Sequence, residues 1–106
     1  YIARNGWLGD YNDPITFLDM WTTGGGNNDA QWSNAQYDTL IKNIKTSSDQ
    51  KERIKMMHEA ETIIFDEWML CPIYYYVDIY LRSPKLENVW SSPLGYKYFM
   101  YASIAK

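Results

Sequence analysis

The sequence predicts a mixed α+β fold, an α/β-type arrangement in the order strand, three helices, Tyr-rich strand and irregular tail. Three observations carry that reading. Two central segments repeat apolar residues at helical spacing. The run "IYYYVDIYL", Ile73 to Leu81, has the β-branched and aromatic density of a central strand. An Asp-Pro pair at Asp13 and Pro14 marks a helix start directly after a stretch suited to extended backbone. With 106 residues there is room for one small domain with a modest core. A hydrophobic content of 46% argues against disorder, and ten Tyr with five Trp supply rings that combine apolar area with polar tips.

Taken in order, Tyr1, Ile2 and Trp7 suit a strand over residues 1–11, in which Gly6 and Gly9 permit close backbone approach. Asp13 then caps a short first helix, with Phe17, Leu18 and Trp21 at helical spacing. "TTGGGNND" places a flexible loop over residues 22–31, and no Lys-Ser/Thr follows its glycines to make a phosphate loop. A second helix from about Asn34 to Lys45 gathers Tyr37, Leu40, Ile41 and Ile44 on one face and leaves Lys42 and Lys45 solvated. Asp49 and Glu52 outline a capping box for a third helix reaching about Trp68, with Met57, Ala60, Ile64 and Trp68 on its apolar face. Pro72 ends the helical register. In the Tyr-rich strand Tyr74, Tyr76 and Asp78 share one side, Tyr75 and Val77 the other. The remainder, with Pro84, Pro93 and Gly95, reads as irregular and ends in a strand at Tyr98 to Ile104.

Composition excludes several classes. The net charge of −3 and the scattered Lys and Arg give no footprint for nucleic acid or an anionic membrane. A single cysteine rules out an internal disulfide framework, and Cys71, between Leu70 and Pro72, reads as a small buried hydrophobe. His58 is the lone histidine, beside Glu59 and Glu61, and reads as solvated or capping; no metal or other cofactor is expected. Catalysis needs a nucleophile with a base or a tuned carboxylate pair. The nearest approach is Asp10 with Asp13, and Asp13 is already committed as a cap, so no enzyme is expected. The chain opens "YIAR" with neither an initiator Met nor a signal core and reads as a piece of a longer protein. A carbohydrate-binding module, with Trp and Tyr as stacking platforms, is the weaker alternative, because rings have ordinary core uses.

The stretch "RNGWLGDYNDP", Arg4 to Pro14, is the candidate recognition element. In extended backbone Arg4, Gly6, Leu8 and Asp10 point to one face, and the Cα atoms of Arg4 and Asp10 stand about 20 Å apart, too far to pair. With both side chains leaning inward the charges span an extended peptide of roughly three to five residues. An antiparallel peptide would set its ammonium at Asp10 and its carboxylate at Arg4, its main chain pairing with this strand. On spacing alone the plainer reading stands first: two surface charges flanking an ordinary strand.

Read together, "RNGWLGDYNDP", "HEAETIIFDE" and "CPIYYYV" resemble the C-terminal part of the oligopeptide-binding proteins, the extracytoplasmic solute-binding subunits of peptide ABC importers. The resemblance covers nearly the whole chain in the expected order. It implies a share of a two-lobe periplasmic-binding-protein-like fold, with residues 1–76 part of the C-terminal lobe and 77–106 a hinge crossing and a terminal segment returning to the other lobe. It also implies a receptor that binds oligopeptides by backbone and termini and delivers them to a membrane ABC permease, in a periplasm or lipid-anchored at the outer face of the cell membrane. By the same resemblance Asp10 matches the aspartate on the peptide ammonium and Arg4 an arginine near the ligand carboxylate. Gly6 and Leu8 match main-chain pairing positions, with Trp7 between them, and Tyr76 matches a cleft-facing tyrosine near the hinge. Leu8 is a departure, since enterobacterial members have a disulfide-forming cysteine there. A receptor of the same fold for a signalling peptide or a nickel chelate is the alternative. Exposed apolar edges in so short a chain lead to the expectation of a homodimer or strand exchange.

Overall fold

Asp13, Asn34 and Asp49 each start a helical stretch, and each does so through its side chain. In the computed structural model, which describes residues 2–106, Asp13 accepts from the Ile15 amide, Asn34 from Tyr37, and Asp49 from Lys51 and Glu52. These caps satisfy amides that a helix start leaves without partners. The Asp49 amide donates to Ser47 Oγ at 3.2 Å rather than to Glu52, so the expected capping box is half formed.

The chain divides into two units, one ending at Pro72 and one beginning at Ile73. In the first, α1 (Ala35–Thr46) and α2 (Gln50–Asp66) pack on each other as a helical hairpin joined by Ser47, Ser48 and Asp49. α1 buries Tyr37, Ile41 and Ile44 against Met57, Ala60 and Ile64 of α2, with Leu40 partly covered at the margin. Fully buried Ala60 presents no bulk to hold the helices apart. The hydroxyl of Tyr37 donates to the Leu18 carbonyl at 2.5 Å, and burial is the main cause that pushes this phenol well above its ordinary pKa, with the charges of Asp19 and Asp38 adding to it.

The short first helix is not α-helical. It is two 3-10 turns, Pro14–Phe17 and Asp19–Trp21, and the bonds Leu18 to Ile15 and Trp21 to Leu18 close at i to i+3. Eight residues make too few α-helical bonds to offset nucleation, whereas the tighter turn buries Ile15, Thr16, Met20 and Trp21 on the hairpin and leaves Phe17 exposed. Lys45, expected to be solvated, pairs with Asp19 at 3.0 Å. The loop over 22–31 has no helix or strand, but buried Asn28 ties it down. The Asn28 amide nitrogen donates to the carbonyls of Trp32 at 2.7 Å and Thr22 at 3.1 Å, while its oxygen accepts from the Trp32 amide.

Two expected strands are absent. Neither residues 2–9 nor the run from Ile73 to Leu81 belongs to a ladder, and Tyr1 lies outside the described residues. A strand exists only through a partner, and among the described residues the main-chain groups of 71–82 make no hydrogen bond. The same lack of a covering layer exposes Cys71, which was expected to be buried. Trp68 leaves the apolar face as well. It stands one residue past the C-cap of α2, at φ 54° and 90% exposed.

The second unit supplies order where the sequence suggested mostly irregular chain. Two antiparallel pairs nest: β1 (Leu86–Glu87) with β4 (Ser103–Ile104) outside, and β2 (Trp90–Ser91) with β3 (Lys97–Tyr98) inside. The inner turn, Pro93-Leu94-Gly95, is closed by Gly95 N–H to the Ser92 carbonyl and Ser92 N–H to the Tyr96 carbonyl, with Gly95 at φ 87°. It is a three-residue hairpin loop whose left-handed position requires glycine. No helix among the described residues is long and apolar enough to cross a membrane.

Two outcomes follow for stability. At the end of α2, Trp68 N–H bonds to the Phe65 carbonyl and Met69 N–H to the Ile64 carbonyl, a Schellman closure in which the left-handed position normally holds glycine. Trp68→Gly therefore stabilises the first unit by about 1 kcal/mol in denaturant unfolding followed by circular dichroism. Tyr37→Phe strands the Leu18 carbonyl inside the core and lowers stability by about 1 to 2 kcal/mol in the same measurement.

Candidate functional site

Residues 6–10 alternate in exposure, whereas Arg4 and Asn5 before them are both exposed. Gly6, Leu8 and Asp10 are exposed, while Trp7 and Gly9 are partly covered. The covered side rests on the first 3-10 turn. Thr16, 2% exposed, accepts on Oγ1 from the Asp10 amide at 3.2 Å and from the Trp7 indole nitrogen at 3.4 Å. A Cβ on Gly9 would stand 3.3 Å from Thr16 Cγ2 and 3.4 Å from Phe17 Cζ, so the room that Gly9 provides is taken up by this turn, whereas Gly6 faces open space. Among the described residues the main-chain groups of Trp7, Leu8 and Gly9 make no hydrogen bond, and neither Arg4 nor Asp10 has an ion-pair partner. The result is an edge anchored on one side and unpaired along the other.

Beneath the turn stands a charged brace. Arg53 Nη2 donates to Asp13 Oδ2 at 2.6 Å, Nη1 to Gln50 Oε1 at 2.8 Å and Nε to the Ile44 carbonyl at 3.1 Å. One guanidinium fork thus links the first 3-10 turn, the end of α1 and the start of α2. The hydrogen bond from Arg53 and the one from the Ile15 amide together hold the Asp13 carboxyl below the usual carboxylate range. Nearby, burial and then the charge of Asp19 raise the Tyr11 phenol.

Tyr76 lies in the second unit and is 72% exposed. Its ring lies beside that of Tyr74, with centroids 6.2 Å apart, as two residues on one side of extended backbone would stand. Further along the same side, Asp78 is ion-paired with Lys97, whose Nζ also lies 4.8 Å from the centre of the Tyr80 ring and donates to the Gly95 carbonyl at 3.2 Å. Lys97 thereby ties the Tyr-rich run to the inner hairpin. Sequence reasoning missed Thr16, Arg53 and Lys97. A hydroxyl inside the turn opened by Asp13-Pro14 was a usable signal for Thr16; no local pattern marks the other two.

No protein-family model matches the chain. It is 39% identical to the oligopeptide-binding protein OppA of Bacillus subtilis over 102 residues, 95% of this chain and 19% of that protein. The dipeptide-binding protein DppE of the same organism is 36% identical over 89% of the chain and 17% of its own length. The periplasmic oligopeptide-binding protein OppA of Salmonella typhimurium is 32% identical over 78% and 15%. The chain is a homologue of one segment of the oligopeptide-binding proteins. The chain spans about a fifth or less of the length of these curated relatives.

The brace gives a pH-dependent outcome. Because the Asp13 carboxyl titrates below its ordinary 3.8, its contribution is fully present above that value and is lost as pH falls through the lowered pKa. Asp13→Asn keeps a capping side chain but loses the charge facing Arg53, and costs about 1 kcal/mol at pH 7. The gap between the two proteins closes below pH 3.8 in unfolding titrations.

Proposed function

We propose that this chain supplies part of the ligand cleft of an extracytoplasmic oligopeptide-binding protein, one that hands peptides to an ABC permease. The carrying observation is the edge from Arg4 to Asp10. Among the described residues its Trp7–Gly9 backbone is unpaired and its Arg4 and Asp10 charges are unmatched, and it belongs to a chain homologous to oligopeptide- and dipeptide-binding proteins. A peptide added antiparallel to this edge pairs with its main chain, sets its ammonium at Asp10 and directs its carboxylate toward Arg4. Gly6, open on its free side, leaves room for the approach, and Trp7 and Leu8 flank the peptide; the family resemblance adds Tyr76 as a further ligand contact in the whole protein. In this reading residues 1–76 belong to the C-terminal lobe and residues 77–106 cross the hinge and return to the other lobe. The chain takes no part in covalent chemistry. The homodimer expected from exposed apolar edges has no support among the relatives, so it is not carried forward, and no observation favours a nickel chelate or a signalling peptide.

The test is a Bacillus subtilis OppA in which this chain replaces the matching segment. Calorimetry with a tripeptide and its N-acetylated form shows tighter binding of the free peptide, and Asp10→Asn weakens that binding about 30-fold or more, because an enclosed ammonium loses its partner. Asp29→Asn, in the glycine loop, changes nothing. A cooperatively folded chimera with equal affinity for both peptides would remove the ammonium role of Asp10, and one that binds neither would remove the reading altogether.

A further inference from the structure

Every hydrogen bond between residues 2–10 and the rest of the described chain ends on a single atom, Thr16 Oγ1. A threonine hydroxyl has two acceptor lone pairs, and both are engaged here, one by the Asp10 amide and one by the Trp7 indole. The atom itself is well fixed. Thr16 is β-branched and stiff at χ1, its Cγ2 packs toward Gly9, and its amide donates to the Asp13 carbonyl at 3.2 Å. Asp13 is held in turn by Arg53. A continuous line of contacts therefore runs from the helical hairpin through Asp13 and Thr16 to the residue proposed to meet the ligand ammonium.

We propose that Thr16 is the positioning residue of this edge, its buried hydroxyl fixing the backbone of Asp10 and the ring of Trp7 so that the Asp10 carboxylate is held where a peptide ammonium arrives. The inference rests on the role given to Asp10 above. A carboxylate on a loosely tethered backbone must be ordered at the moment of binding, and that cost reduces its advantage for a charged amine over a neutral amide. Thr16 has met the cost in advance. Selectivity for a free amino terminus then depends on a hydroxyl that the ligand does not touch.

Thr16→Val and Thr16→Ser separate this role from packing. Valine keeps the shape and removes the acceptor; serine keeps the acceptor and removes the methyl group. In the 106-residue chain, hydrogen exchange followed by nuclear magnetic resonance shows the Asp10 amide and the Trp7 indole N–H exchanging roughly five- to tenfold faster in Thr16→Val. They stay near wild type in Thr16→Ser, and the Tyr37 amide stays protected in both. In the Bacillus subtilis OppA chimera, Thr16→Val reduces the preference for free over N-acetylated tripeptide about fivefold or more, and Thr16→Ser restores it. Unchanged exchange in Thr16→Val would overturn the anchor. Faster exchange with an unchanged preference would overturn its link to recognition. A wild-type chimera with no preference would instead sink the ammonium role of Asp10 while leaving the exchange result standing, so the two failures are distinct.

Discussion

The buried hydroxyl of Tyr37 joins the parts of the first unit. Its ring is fully buried in the core, its amide is capped by Asn34, and its hydroxyl donates to the carbonyl of Leu18, the residue between the two 3-10 turns. Edge-on contact with Trp32, centroids 4.9 Å apart, brings in the glycine loop. A phenol in this position has to remain protonated, and burial ensures that it does. Three segments of unlike character, a helical hairpin, a pair of tight turns and a loop, are thereby referred to one side chain. A core this small has few other means of coordinating them.

From there order decreases outward in steps. The hairpin is bound by apolar burial, the turns are bound to it by Ile15, Met20, Trp21 and the Arg53 fork, and the edge is bound by the packing of Trp7 on the core and by hydrogen bonds to one hydroxyl. Glu67 closes the far side in a similar manner, accepting from the Trp32 indole at 2.7 Å and from the Asn34 side chain at 2.6 Å. This gradient suits the recognition role proposed for the edge. Exposed amides and carbonyls are hydrated until a ligand strand replaces the water, so leaving them unpaired in the free chain carries little cost. What has to be fixed beforehand is their direction.

Local chemistry was legible and pairing was not. Asp13 and Asp49 announced their helical stretches because a cap acts within three residues, and the start of α1 near Asn34 and the apolar faces of α1 and α2 followed from helical spacing. Trp68 was misplaced because its spacing continues the face of α2 after the backbone has already turned into the left-handed region. The first helix became two 3-10 turns because residues three apart satisfy either geometry in so short a stretch. Ile73 to Leu81 has strand composition without a ladder, since composition describes a residue's fitness for a sheet and says nothing about where the neighbouring strand lies. Ser92-Pro93-Leu94-Gly95 was a readable turn, with proline second and glycine fourth, whose meaning as a hairpin was hidden by strands only two residues long. For the edge, the alternation of exposed Gly6, Leu8 and Asp10 with covered Trp7 and Gly9 could be read from the sequence, although it does not extend to Arg4, whose neighbour Asn5 is exposed too. The use of Gly9 to admit Thr16 could not, because that contact depends on a turn type that spacing left open.

The pairing of Lys97 with Asp78 has a consequence for solution behaviour. From Ile73 to Leu81 the chain offers a nine-residue run rich in β-branched and aromatic residues, with no proline and Asp78 as the sole charge. Such runs are ordinarily kept apart by a gatekeeper whose charge repels an incoming copy. Here the gatekeeper is neutralised by an internal lysine, while the tyrosines around it remain exposed. The ion pair that ties the run to the hairpin also weakens its electrostatic protection against cross-β stacking.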